Sequence, residues 1–197
     1  MAELKKRATP PNSSHRPKVM GGTAEARAAS ILESLGLGEP PIPVERIALH
    51  LGLEVERAAL GDNVSGLLVV QDGRGMIGVS ANQPLVRQRF TIAHEIGHFV
   101  LHKDVMPVFI DTQFLRPILA AFRNAASSTG EDAREREANA FAAALLMPAE
   151  MVHRAIATLG VDIADEEAIE ELAKRFNVSR QAMTFRLANL SPTLGKR

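Results

Sequence analysis

Phe90-Thr91-Ile92-Ala93-His94-Glu95-Ile96-Gly97-His98-Phe99-Val100-Leu101-His102 is the stretch from which the rest of the chain can be read. At about 100° per residue, Phe90, Ala93, Gly97, Val100 and Leu101 gather on one side, and Thr91, His94, Glu95, His98 and His102 form an adjoining polar strip. This periodicity predicts a helix over Leu85 to His102, and it sets His94 and His98 one turn apart and facing together. Two neutral imidazoles at that spacing reach one divalent ion, which for nitrogen and oxygen donors is most naturally zinc. Glu95 flanks the pair, where its carboxylate can act as general base on water held by the ion. The competing account is a surface helix that happens to carry histidines.

A zinc ion that does chemistry takes three protein ligands and keeps one position open, so a further donor is expected from another helix. In Glu131 to Pro148 the apolar stripe is centred on Ala138, Phe141, Ala142 and Leu145. Glu135 and Asn139 border that stripe where side chains turn inward, whereas Glu137 lies on the opposite flank, so periodicity selects Glu135 as the third ligand. Taken alone, the same acidic run fits a solvated first turn, because acidic side chains favour a helix N-terminus. Its pairing with the histidine helix is what favours a ligand. Asn139 can hydrogen-bond the far nitrogen of His94 and fix its tautomer. His102, one further turn along, either lines the cleft or ends its helix favourably as a cation. His15, His50 and His153 have no partner pattern, and surface or capping roles are expected of them.

The remaining composition narrows the class. With 197 residues, 46% of them apolar, the chain can bury one core. Lys+Arg and Asp+Glu are equal at 23 each, so no whole-molecule field argues for nucleic acid or an anionic membrane. The absence of cysteine excludes disulfides and thiolate metal sites, and it suits the reducing cytoplasm expected as the location. Residues 1–22 carry Lys5, Lys6, Arg7, Arg16 and Lys18 among Pro, Ser and Asn, and are expected to be a disordered basic tail; 191–197 are expected to be a second tail. No apolar run approaches the ~20 residues of a bilayer span, so no membrane partner is expected.

Working outward, Thr23 caps a helix running to about Leu35, with Gly36 as its stop, and Val44 to Leu51 predicts a second helix. Leu53 to Ala58, Ser65 to Val70 and Met76 to Ser80 predict strands, the last two joined as a hairpin. The stretch between Lys103 and Gly130 is poorly patterned; it offers a short helix at Leu115 to Phe122 and serves as either a lid or a linker. Helices follow at Glu131–Met147, Ala149–Leu159, Glu166–Phe176 and Arg180–Leu190. The expected class is α+β: a small antiparallel three-stranded sheet packed with a mostly helical zinc-peptidase domain over 23–165, and a helix-turn-helix-like pair over 166–190 on the same domain. In that pair Ser179 caps the second helix, and a DNA-reading version would present Arg180, Gln181 and Thr184. Against it, Asp165, Glu166, Glu167, Glu170 and Glu171 crowd the first helix and repel phosphates. Two packed helices closing the core, or a surface for docking a partner, are the alternatives.

Arg89 through His98, followed by Glu135 through Pro148 with its Leu145-Leu146-Met147-Pro148 ending, resemble the ImmA/IrrE family of metallopeptidases, and the resemblance extends from about Pro43 to Leu190. Of these motifs His-Glu-x-x-His is shared by many unrelated peptidases, while its combination with Leu-Leu-Met-Pro is far more specific. The resemblance implies a gluzincin-like Zn2+ enzyme whose helical glutamate ligand falls on Glu135. It further implies a bacterial or phage regulator that cleaves a partner helix-turn-helix transcriptional repressor under stress or on induction. The alternative is a DNA-binding or repressor-binding regulator without proteolytic activity. One departure is that the chain has no tyrosine, so oxyanion stabilisation would pass to a histidine, an arginine, a backbone amide or the zinc itself.

Overall fold

A computed structural model describes residues 23–60, 64–71, 74–102, 108–111, 130–160 and 165–194. The tail at 1–22, the short helix expected at 115–122 and the lid or linker role of the stretch around it lie outside the described residues.

Helix α1 (Ala24–Ser34) starts at Thr23, whose Oγ1 accepts a hydrogen bond from the Ala26 amide at 3.3 Å. It closes at Gly36, where φ of 63° is a conformation glycine adopts without a Cβ clash. Helix α2 (Val44–His50) leads into β1 (Leu53–Ala58), β2 (Gly66–Gln71) and β3 (Arg74–Ser80). Then come α3 (Leu85–His102), β4 (Val108–Asp111), α4 (Gly130–Leu146), α5 (Ala149–Leu159), α6 (Glu166–Phe176) and α7 (Arg180–Leu194). The α+β class expected from the pattern is the one observed.

The sheet differs from the expectation in two respects. Its order is β1-β3-β2-β4, and β1 pairs with β3 in parallel, while β2 is antiparallel to both β3 and β4. The chain reverses from β1 to β2 but leaves a strand-wide gap, roughly 10 Å across, into which the β2–β3 hairpin folds back. After two reversals β3 runs in the direction of β1, so the all-antiparallel sheet predicted from alternation becomes a mixed one. The fourth strand, Val108–Asp111, lies in the stretch that showed no clear pattern; four residues after a proline are too few to reveal an alternation.

Helix α3 is the centre of the molecule, packed on one side against β2 and β3 and on the other against α4. Its polar strip is therefore buried along with its apolar one: every residue from Thr91 to Phe99 is buried. The crossing with α4 is close because Gly97 has no side chain; a Cβ there would lie 3.1 Å from both the Cα and the carbonyl oxygen of Ala138. Ile92, Ile96, Phe141, Leu145, Leu68 and Ile77 are all fully buried in this core.

Helices α6 and α7 contribute Leu172, Phe176, Met183 and Leu187 to the same buried cluster. Asn177, at φ 52°, ends α6, and Ser179 Oγ accepts from the Ala182 amide at 3.1 Å to start α7. That helix runs on to Leu194, past Leu190 where the pattern placed its end. Two arginines tie these helices to the rest. Arg89 on α3 donates to the carbonyl oxygens of Asn177 at 3.1 Å and Ile42 at 2.9 Å. Arg186 donates from Nε to the Met147 carbonyl oxygen at 2.8 Å and pairs with the Glu25 carboxylate. Among the described residues no single helix is long and apolar enough to cross a membrane.

Candidate metal centre

The central helix sets His94 and His98 side by side, with their Nε2 atoms 2.9 Å apart and the rings edge to face. From the first half of α4, Glu135 reaches across: Oε1 lies 3.0 Å from His98 Nε2 and Oε2 lies 3.3 Å from His94 Nε2. The three side chains offer ligand atoms that all lie within 4.8 Å of one another. Donors bound to one zinc at 2.0–2.2 Å in tetrahedral geometry stand about 3.3–3.5 Å apart, so these spacings are within a few tenths of an ångström of a ligand set.

Protonation supports the fit. His94 is fully enclosed and His98 nearly so. Burial pushes the His98 pKa down, against the opposing hydrogen bond and charge of Glu135, which favours the neutral imidazole that a metal requires. For Glu135, burial acts to raise the pKa, but the hydrogen bonds and charges of His94 and His98 outweigh it and hold the carboxyl well below the usual carboxylate range. An ionised carboxylate and lone-pair-bearing nitrogens crowded at these distances call for a proton or a cation among them.

Asn139, one turn beyond Glu135 on α4, places Oδ1 3.1 Å from His94 Nδ1. Accepting the Nδ1 hydrogen leaves the Nε2 lone pair aimed toward Glu135 and His98. Glu137 has a side chain 60% exposed against 29% for Glu135, in keeping with the flank that periodicity gave each. His102 is buried at the end of α3, its Nε2 3.5 Å from Glu137 Oε2 and its ring 5.6 Å from that of His98, outside the three-residue group.

Glu95 is fully buried on the side of α3 that meets β2. Gly66 makes room for it: a Cβ at that position would lie 2.9 Å from Glu95 Oε1 and would collide with Thr91 Cγ2. Sequence reasoning passed over Gly66, although an isolated glycine at a strand start is a known sign of close backbone approach. It likewise passed over the ties made by Arg89 and Arg186, which no local pattern announces.

The fold is similar to that of a Mycobacterium tuberculosis transcriptional regulator, at a TM-score of 0.56 and 20% sequence identity. The match covers 84% of this chain but 46% of the other, so the chain spans less than half the length of that protein. No curated protein matches. Residues 48–188, which hold the sheet, both metal-centre helices and most of the carboxy-terminal pair, match the Peptidase_M78 family, described as the IrrE N-terminal-like domain. The chain belongs to that family.

Proposed function

We propose that this protein is a zinc-dependent endopeptidase that cuts a partner protein, a helix-turn-helix transcriptional repressor, in the cytoplasm. The observation that carries the proposal is the convergence of His94, His98 and Glu135 from two helices onto one point. Those three residues would hold the ion, and Asn139 would keep His94 in the ligating tautomer. When bound, zinc supplies a Lewis acid and lowers the pKa of water.

Glu95 is the proton carrier. Its carboxylate accepts a proton from the attacking water as the water oxygen bonds to the scissile carbonyl carbon. It then delivers that proton to the amide nitrogen as the C–N bond breaks. Burial among Thr91, Gly66 and the core of α3 keeps that carboxylate in a fixed position. With no tyrosine in the chain, oxyanion stabilisation falls to the ion, an arginine, a histidine or a backbone amide.

The partner class is supported by membership of a family whose name joins peptidase and IrrE. The location is supported by the lack of cysteine. Direct DNA binding has less support: Arg180, a candidate base reader, donates to Glu166 at 2.9 Å, within the acidic start of α6.

The test is Glu95→Gln. It should bind near-stoichiometric zinc yet leave helix-turn-helix proteins encoded nearby intact, while the unaltered protein cleaves one of them. Cleavage by the variant would overturn the role of Glu95. An intact partner after long incubation with zinc-loaded wild-type protein would favour a regulator that binds without cutting.

A further inference from the structure

We propose that the helix-turn-helix-like pair, α6 with α7, serves the metal centre as a brace, and that Arg89 and Arg186 are positioning residues that hold α3 and α4 at the angle bringing Glu135 onto His94 and His98. A hydrogen bond runs between the pair and each of the two helices that carry the ligands. Arg89, five residues before His94 on α3, donates from Nε to the carbonyl oxygen of Asn177 at 3.1 Å, in the turn between α6 and α7. Arg186 on α7 donates from Nε to the carbonyl oxygen of Met147 at 2.8 Å, at the end of α4. Asn177 and Arg186 are nine residues apart, so the first half of α7 bridges the gap between the two helices. Side-chain packing alone does not close that gap. Between the start of α3, the second half of α4 and the start of α7 lies a cavity of about 220 Å³, with Phe90, Ala143, Met147, Ala182 and Phe185 in its walls. Dispersion falls away across a void, so the two hydrogen bonds carry more of the attachment there than they would in a filled interface. Both have a guanidinium donor, which makes them stronger than bonds between neutral groups.

The ties act on the metal centre by leverage. The close approach of Gly97 to the Ala138 backbone is the fulcrum. On α4, Met147 lies nine residues past Ala138, about 13 Å along the helix, and Glu135 lies three residues before it, about 4.5 Å. A displacement of about 1 Å at Met147 therefore moves Glu135 about 0.3 Å the other way. On α3, Arg89 lies eight residues before Gly97 and His94 three, so a shift at Arg89 reaches His94 in similar proportion. Ligand distances that suit a metal vary by about 0.2 Å, so movements of this size are felt in binding. The ties stand apart from the zinc-peptidase proposal; their effect on ligation rests on its metal centre.

The experiment measures zinc affinity by chelator competition, and the visible spectrum of the cobalt-substituted protein, on the full chain and on Arg89→Met and Arg186→Met, each of which cuts one tie. Both variants, folded by circular dichroism, should bind zinc about tenfold more weakly, the low end of what losing an outer partner costs. Both should also shift the cobalt ligand-field bands, which report coordination geometry. Glu25→Gln loosens the salt bridge of Arg186 but leaves the Met147 tie in place, so it should lower stability with zinc affinity and cobalt bands unchanged. If one methionine variant fails to fold, the other decides. A folded methionine variant with the affinity and spectrum of the unaltered protein overturns the brace. So does a loss of affinity in Glu25→Gln equal to that in Arg186→Met, because the effect would then follow stability alone. Unaltered protein that takes up neither zinc nor cobalt refutes the metal centre and the brace with it, whereas normal uptake by the unaltered protein and by the methionine variants alike refutes the brace only.

Discussion

Replacing Gly97 by alanine tests whether the metal centre depends on how closely α3 and α4 approach. The new methyl carbon would stand 3.1 Å from the Ala138 Cα and carbonyl oxygen and 3.2 Å from Phe141 Cδ1. Comfortable carbon contacts lie near 3.5–4.0 Å, and backbone atoms cannot rotate aside, so the helices must part by roughly 0.5 Å. Two effects oppose each other in stability. Alanine in a helix interior gains about 1 kcal/mol over glycine, while overpacking a tight interface costs about 1–3 kcal/mol. The net expectation is a loss of about 0–2 kcal/mol in urea denaturation. Zinc binding has no such compensation. Gly97 sits between the two histidines in sequence and packs on Ala138, three residues after Glu135, so parting the helices draws the carboxylate off both imidazoles from its present 3.0 and 3.3 Å. Affinity in a chelator-competition titration should fall by about tenfold, the scale on which disturbed ligand orientation acts. A variant that gains the helix-propensity increment and binds zinc as tightly as before would refute the reasoning.

Two further outcomes follow from other parts of the structure. Arg186→Ala should lower stability by about 2–4 kcal/mol, because the buried guanidinium is lost and the Met147 carbonyl oxygen loses its donor. Glu25→Gln keeps an oxygen acceptor but leaves the buried guanidinium without its counter-charge, so it should also cost more than about 1 kcal/mol, and a smaller loss on thermal melting would contradict this account of the pair. Zinc affinity should be nearly level between about pH 8 and 7 and fall steeply only below the ordinary imidazole value of 6.5, since burial lowers the His98 pKa and delays proton competition. Competition titrations across pH that show the decline already under way above about pH 7 would count against that ligand.

The parts of this molecule that the sequence announces are those governed by local periodicity. The strip Thr91, His94, Glu95, His98 predicts which side chains share a face, and the inward flank of the Ala138–Phe141–Leu145 stripe separates Glu135 from Glu137, as their exposures bear out. Caps at Thr23 and Ser179 are legible because the hydroxyl acts within three residues. Strand order is not, since Leu53 pairs with Gly75 and Gly66 with Asp111 across chain separations that no alternation encodes. The burial of the polar strip of α3 was equally hidden, because it depends on the sheet and α4 closing over both faces of one helix. Arg89 and Arg186 look like ordinary surface cations in the sequence, and only the tertiary fold brings distant carbonyl oxygens to them.

The insertion of β3 between β1 and β2 bears on the order of assembly. Among the described residues β1 forms its ladder with β3 alone, so that ladder cannot form until the β2–β3 hairpin exists to receive it. The hairpin, closed by a short loop, is the inexpensive event in chain entropy, and annexing β1 is the later, long-range one. In a growing or refolding chain, the strand that is made first must wait for the two that follow it.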